Sequence, residues 1–126
     1  MTKVSVLVAV VDDEESVRRA LGRLISSAGF GVETFCSGAD FLDSIHQQRP
    51  DCVVLDIRMP HMDGFEVQRA LTKANDLIPV VVITGDDSPE SRTCAFKWGA
   101  KAYLRKPVDE AILLAAIRGA CASTPA

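Results

Sequence analysis

The chain alternates five times between a short apolar run and a stretch of helical periodicity, and this alternation constrains its fold more than any other feature. The first run, 4–11, is continuous and rich in Val, which is typical of a strand buried on both faces. Further apolar runs follow at 31–35, 52–55, 80–83 and 102–104. Five strand-helix units in this rhythm predict an α/β domain, in which a five-stranded parallel sheet is doubly wound with five helices.

Helix start and stop signals separate the apolar runs. Apolar residues recur at helical spacing over 17–28, and Gly29 then supplies a C-terminal stop, as Gly99 does for the fourth helix. Each of the four later helices is preceded by a residue that can cap a helix N-terminus. These predicted caps are Ser37, Asp63, Ser88 and Asp109.

Length and charge restrict the class of protein. With 126 residues, 48% of them hydrophobic, the chain is long enough for one domain and its core. A net charge of −3 gives no electrostatic reason for this domain to bind nucleic acid directly. The run 4–11 is too short to span a membrane and has no cleavage site, so we expect a cytoplasmic protein with no membrane contact. We assign 1–121 to the domain and 122–126 to a C-terminal tail or the start of a linker.

The cysteines at 36, 52, 94 and 121 form no C-x-x-C pair and have no His at the spacing of a zinc site. We therefore expect reduced thiols in a cytosolic protein.

Polar side chains follow four of the five apolar runs directly. They are Asp12 and Asp13 after the first, Asp56 after the third, Thr84 after the fourth and Lys106 after the fifth. In an open parallel sheet ligands bind beyond the carboxyl ends of the strands, so these side chains should share one edge. Taken singly, an Asp there is often a helix cap, a Lys-Pro is usually a turn and a Thr usually has no role. Their occurrence after four different strands favours a functional site.

The charges at this edge indicate the chemistry. Two carboxylates about 4 Å apart repel by about 4 kcal/mol at an effective dielectric constant of about 20, so three of them need a cation among their oxygens. Oxygen ligands without His or Cys suit Mg²⁺, or alternatively Mn²⁺. Lys106 and Thr84 can contact the oxygens of a phosphoryl group, and Asp56 is placed to accept that group as an acyl phosphate.

Four segments carry a resemblance to a known family: 10–14 (VVDDE), 55–64 (LDIRMPHMDG), 83–85 (ITG) and 106–107 (KP). Over about residues 4–121 the chain resembles the receiver domains of response regulators in two-component systems. The strings at 56–60 and 80–85 are most similar to the FixJ-like branch. The resemblance implies a flavodoxin-like sheet of strand order 2-1-3-4-5.

The resemblance also implies roles at the acidic edge. Asp56 would be the phosphoacceptor, and Asp13 and Asp56 would ligate Mg²⁺ directly, together with the backbone carbonyl of Arg58. Asp12 would act through a metal-bound water.

Further implied roles concern the phosphate and the switch. Thr84 and Lys106 would hold the phosphate, the Lys106–Pro107 bond would be cis, and Tyr103 would be an aromatic switch residue that moves with Thr84. A Tyr103 that simply lies on a strand with an exposed tip is the plainer alternative.

The implied function is a signalling switch rather than an enzyme, with self-phosphorylation and slow autodephosphorylation only. A histidine kinase or a phosphotransfer protein would supply the phosphoryl group. Phosphorylation would change the face made by helix 4, strand 5 and helix 5, which would control homodimerisation or an effector. That effector could be a transcriptional output domain, such as a helix-turn-helix, absent from this chain.

Four residues depart from or add to this pattern. Trp98 stands where the family more often has a small residue, and it is either partly buried or an exposed anchor for a partner. His61 is expected to be a solvated loop residue, although it could sense pH or touch the phosphodonor. Arg58 and Asp86 could pair across the mouth of the pocket and hinder the attack of water.

The sequence leaves three alternative functions open. A phosphatase of the haloacid dehalogenase type would place two Asp residues two apart after the first strand, whereas Asp12 and Asp13 are adjacent. A flavodoxin-type cofactor protein would need a Ser/Thr/Gly-rich phosphate loop where this chain has four acidic residues. A degenerate receiver would serve only as a scaffold.

Overall fold

The computed structural model describes residues 6–122, in which strands and helices alternate strictly along the chain. The strands are β1 (Leu7–Val11), β2 (Gly31–Phe35), β3 (Cys52–Asp56), β4 (Val80–Thr84) and β5 (Ala100–Arg105). The helices are α1 (Glu15–Ser27), α2 (Gly38–Ser44), α3 (Gly64–Lys73), α4 (Pro89–Lys97) and α5 (Glu110–Ala122).

The five strands form one parallel sheet in the order β2-β1-β3-β4-β5. This confirms the predicted fold class and strand order. Every residue of β3 and β4 is buried, which explains why these strands read as continuous apolar runs. The edge strands β2 and β5, by contrast, contain exposed positions.

The sheet separates two layers of core side chains. Alternate residues of β3 point to opposite faces: Val53 and Leu55 pack with α2, α3 and α4, whereas Cys52 and Val54 pack with α1 and α5. We call these the α2–α4 layer and the α1/α5 layer. Phe41 of α2 is fully buried in the first, and Ile117 of α5 is fully buried in the second.

The predicted helix caps are confirmed by hydrogen bonds. The Ser37 and Ser88 hydroxyls accept from the backbone N–H groups of Asp40 and Ser91, at 3.1 and 3.0 Å. The Asp63 carboxylate and the Glu66 side chain accept reciprocally from each other's backbone N–H, a complete capping box. The remaining cap, Asp109, accepts from the N–H of Ile112 at 3.0 Å.

The element boundaries differ from prediction by a few residues. β1 begins at Leu7, and 1–5 lie outside the described residues. β5 is longer than 102–104 because pairing with β4 extends from Ala100 to Arg105. α5 reaches Ala122, the first residue of the predicted tail at 122–126, and the rest of that tail lies outside the described residues.

The two predicted glycine stops are confirmed, with φ of 98° at Gly29 and 95° at Gly99. Trp98 is the C-cap residue of α4 and is partly buried, which is the first of the two alternatives for it. Within residues 6–122 we find no helix with both the length and the hydropathy needed to cross a membrane.

Candidate functional site

Three carboxylates meet at the carboxyl edge of the sheet. β1 and β3 are neighbours, with Val11 beside Leu55, so the residues that end or follow these strands come together. Asp12, Asp13 and Asp56 each offer an oxygen, and these oxygens all lie within 4.8 Å of one another. The structure thus brings together the three acidic residues that the sequence predicted.

The three carboxylates differ in exposure. Asp12 is fully buried and Asp56 is 2% exposed, whereas Asp13 faces solvent. The N-cap position of α1 belongs to Glu14, so neither Asp12 nor Asp13 is explained as the cap of that helix. Asp12 Oδ1 instead accepts from the Glu14 N–H at 2.9 Å, which fixes the turn that presents the acidic residues.

Lys106 reaches this cluster from the end of β5. Its Nζ lies 2.9 Å from Asp12 Oδ2 and 3.5 Å from Asp56 Oδ1, with Glu14 Oε1 farther away at 3.9 Å. Burial disfavours the ammonium, but the carboxylates of Asp12 and Asp56 outweigh it and raise the pKa of Lys106. The Lys106–Pro107 bond is cis, as the resemblance implied. Lys106 therefore stays protonated and places a positive charge beside the Asp12 and Asp56 carboxylates.

Asp56 is the electrostatically costly member of the cluster. Burial, followed by the charge of Asp12, raises its pKa from 3.8 to about 6, although Lys106 and the backbone N–H of Arg58 act in the opposite direction. Its Oδ1 is buried and has no hydrogen-bond partner. One carboxylate oxygen is thus left for a ligand.

Thr84 completes the edge from the end of β4. It is fully buried, and its Oγ1 accepts from the backbone N–H of Asp86 at 3.0 Å. Its backbone carbonyl accepts from the Lys106 N–H at 2.8 Å, which ties together the loops after β4 and β5. A ligand that forms a hydrogen bond with the Thr84 hydroxyl would therefore directly affect the β4–α4 loop.

Gly64 supports the site, although no role was predicted for it from the sequence. A Cβ on Gly64 would lie 2.6 Å from the Asp56 carbonyl oxygen and 2.8 Å from Ile57 Cα. The start of α3 therefore packs directly against the backbone that carries Asp56, and the Gly64 N–H donates to the Ile57 carbonyl at 2.9 Å. The available signal was a glycine at the first position of a helix, directly after a strong cap.

An ion pair joins the loop after β3 to the loop after β4. Arg58 Nη2 lies 2.8 Å from Asp86 Oδ2, which confirms that these two side chains pair, and both are more than half exposed. His61, in the loop after Asp56, is exposed with a φ of 69°, in agreement with a solvated loop residue.

Tyr103 is buried, so the plainer alternative of an exposed tip is wrong. Only 8% of Tyr103 is exposed. Its ring lies 6.4 Å from that of Phe96, and the Arg92 guanidinium lies 5.5 Å from its centroid. Burial and then the Asp87 carboxylate raise the pKa of Tyr103, yet its hydroxyl makes no hydrogen bond of standard geometry. The Tyr103 hydroxyl is thus buried beside Asp87, which belongs to the β4–α4 loop.

The donor set fits a hard divalent cation. It consists of carboxylate oxygens, one of them buried without a hydrogen-bond partner, and it includes no His or Cys. Asp12, Asp13 and Asp56 are the residues that would hold Mg²⁺.

Fold and site together define a class of protein: a doubly wound α/β domain with an acidic pocket, a Lys and a Thr at the carboxyl edge of its sheet. The family model described as the response regulator receiver domain matches residues 8–118, and the chain belongs to this family. Response regulators are components of two-component systems, so the phosphatase and flavodoxin-type alternatives are set aside.

Relatives of known sequence and structure agree with this assignment. Response regulator MprA of Mycobacterium bovis is 43% identical over 114 residues, which cover 90% of this chain and 50% of that protein. FixJ-N is 34% identical with a TM-score of 0.90 and covers 99% of both chains. The chemotaxis protein CheY4 of Vibrio cholerae is 29% identical with a TM-score of 0.87, and the match covers 93% of this chain and 99% of that one. The chain spans about half the length of the curated relatives it matches.

The raised pKa of Asp56 gives a first prediction, on stability. The folded state holds the Asp56 proton more tightly than the unfolded chain does, so this group costs no stability below about pH 4 and destabilises the fold as the pH rises through about 6. We expect Asp56→Asn to raise the free energy of unfolding by about 1–2 kcal/mol at about pH 7 without divalent metal, and by much less at about pH 4. Urea unfolding in the presence of a chelator measures both values.

Asp43→Asn, which changes an exposed carboxylate on α2, is the matched control and should change stability little at either pH. A gain for Asp56→Asn that is the same at both pH values would contradict the electrostatic explanation.

Proposed function

We propose that this domain is the phosphoacceptor of a two-component phosphorelay, with Asp56 as the residue phosphorylated. A histidine kinase or a phosphotransfer protein would present a phosphohistidine, and an Asp56 oxygen would attack its phosphorus. The observation that carries this proposal is the buried Oδ1 of Asp56, which has no hydrogen-bond partner and lies beside a lysine ammonium and two further carboxylates.

The residues around Asp56 would have separate roles in phosphoryl transfer. Bound Mg²⁺ would neutralise charge on the phosphoryl oxygens, and Asp13, Asp56 and the Arg58 carbonyl are its proposed direct ligands, with Asp12 acting through a water. Lys106 now neutralises Asp12 and lies 3.5 Å from Asp56, so its ammonium is already close to where a phosphate oxygen would arrive. Positioning and charge neutralisation supply most of the catalysis in this chemistry.

The output would be conformational. The Thr84 hydroxyl can leave its bond with the Asp86 N–H and donate to a phosphate oxygen, a charge-assisted bond that contributes about 1.5–3 kcal/mol. That is enough to shift an equilibrium between conformers separated by a few kcal/mol. The Tyr103 hydroxyl lies beside Asp87 of the same loop, so the face made by α4, β5 and α5 would respond. That face would then control a homodimer or an effector in the cytoplasm.

Metal dependence tests the proposal. We expect the purified chain to gain the mass of one phosphoryl group when it is incubated with acetyl phosphate and Mg²⁺, and to remain unmodified when a chelator replaces the metal. Intact-mass spectrometry measures both samples. A chain that stays unmodified with Mg²⁺, and whose thermal unfolding Mg²⁺ does not shift, would be a degenerate receiver that acts only as a scaffold.

The Arg58–Asp86 pair gives a prediction on the lifetime of the phosphate. Because the pair joins the loops that follow Asp56 and Thr84, we expect it to restrict the approach of water to the acyl phosphate. The double variant Arg58→Ala/Asp86→Ala should lose the phosphoryl group several-fold faster than the wild type. Intact-mass spectrometry over time, after removal of the phosphodonor, gives the rate.

The Arg49–Asp76 ion pair has the same 2.8 Å separation and lies outside this pocket, so Arg49→Ala/Asp76→Ala is the control. Equal rates in all three proteins would remove the proposed role of the pair at the pocket mouth.

A further inference from the structure

Two of the four cysteines meet at the edge of the sheet opposite to Asp56. Cys52 is the first residue of β3 and Cys121 lies in the last turn of α5. α5 runs back along the sheet from the carboxyl edge, since it follows β5 and packs on β3, β4 and β5. Its end therefore reaches the amino edge, where β3 begins.

Both side chains point into the same core layer. Leu113, Ile117 and Cys121 are four residues apart in sequence and share one face of α5. That face packs into the α1/α5 layer, which also contains the side chain of Cys52. Cys52 and Cys121 therefore lie in the same layer at the same end of the sheet, close enough for each to shift the pKa of the other. By contrast, Cys36 and Cys94 belong to neither core layer.

The two thiols have unequal access and unequal acidity. Cys52 is fully buried, whereas Cys121 is partly exposed. The neighbouring Cys52 thiol lowers the pKa of Cys121, whereas Cys121 and burial raise the pKa of Cys52. Because the thiolate is the nucleophile in thiol-disulfide exchange, Cys121 is the residue that an oxidant in solution would meet first.

We propose that Cys52 and Cys121 form a thiol pair that is oxidised to an intramolecular disulfide by small disulfides such as glutathione disulfide. The Cys121 thiolate attacks one sulfur of glutathione disulfide, whose S–S bond breaks as one glutathione leaves. Cys52 then loses its proton and attacks the Cys121 sulfur, and the second glutathione leaves. Two cysteine thiols are oxidised, one glutathione disulfide is reduced, and the two cysteine protons end on the two glutathione thiols.

The bond would join the start of β3 to the end of α5. It would close a loop that contains most of the sheet, which restricts the unfolded chain and should raise Tm by roughly 10 °C. Cys52 and Asp56 occupy opposite ends of β3, about 13 Å apart along the strand, so the pair does not depend on the phosphorylation site.

The test uses the full chain as Cys36→Ser/Cys94→Ser, which retains only the proposed pair. After incubation with glutathione disulfide we expect a monomer that has lost two hydrogens and has no free thiol, and whose digest contains a Cys52–Cys121 linked peptide. We also expect the Tm of this oxidised form to rise and to return on reduction. Cys121→Ser should form no internal disulfide, because Cys52 then has no partner within its core layer.

Three results would overturn the proposal. They are a stable glutathione adduct on Cys121 with Cys52 still reduced, disulfides only between molecules, and no reaction at all. An oxidised form with a lower Tm would also count against it, since the fold would then not accommodate the bond. None of these results bears on phosphoryl uptake by Asp56, so the two proposals fail separately.

Discussion

Asp56→Asn should abolish the gain of a phosphoryl group from acetyl phosphate in the presence of Mg²⁺. The carboxamide lacks the anionic oxygen that attacks phosphorus and removes one of the three carboxylates that would hold the metal. The variant should remain folded, and it should be more stable than the wild type near neutral pH because the costly buried charge is gone. A loss of phosphorylation together with a gain in stability would separate the chemical role of Asp56 from any structural role.

Asp43→Asn again serves as the control, and it should be phosphorylated at the wild-type rate because Asp43 is exposed on α2. Mapping the modified wild-type chain should place the phosphoryl group on the peptide that contains Asp56. A phosphorylated Asp56→Asn protein, with the group on another carboxylate such as Asp13, would show that the acceptor is wrongly assigned.

Gly64→Ala should cost about 3 kcal/mol of folding free energy. The added Cβ would lie 2.6 Å from the carbonyl oxygen of Asp56, and backbone atoms cannot yield as the end of a flexible side chain can. Relief requires α3 to move away from the end of β3, which carries Asp56. We therefore expect slower phosphoryl uptake as well as a lower midpoint of urea unfolding.

Gly119→Ala makes the same chemical change but should have the opposite effect on folding stability. Gly119 lies within α5, is exposed, and has no atom within 4 Å of a Cβ built on it. Alanine is the better helix former, so this variant should gain up to about 1 kcal/mol. If both substitutions changed stability equally, close packing against Asp56 would not be the reason for glycine at 64.

The sequence predicted the fold because each level of its pattern agreed with the others. The Val-rich runs of β3 and β4 required burial on both faces, and capping residues such as Asp63 marked where the next helix begins. Boundaries were less predictable. The length of β5 depends on pairing with β4, which local sequence does not encode.

The members of the acidic site were predictable, but their environment was not. A residue that follows a strand must lie at the sheet edge, which located Asp12, Asp56, Thr84 and Lys106. Tertiary packing alone decides that Asp12 is fully buried while Asp13 faces solvent, and that Lys106 contacts Asp12 more closely than Asp56. The close packing of Gly64 against the backbone of Asp56 likewise depends on how α3 packs on the end of β3.

The sheet that divides the core also divides the consequences of sequence change. Tyr103 and the residues beneath α4 belong to the α2–α4 layer, whereas α1 and the inner face of α5 belong to the other. Substitutions separated by a layer of backbone and sharing no neighbours tend to be additive in free energy. During evolution, one layer of such a domain can therefore change without each substitution requiring a compensating substitution in the other layer.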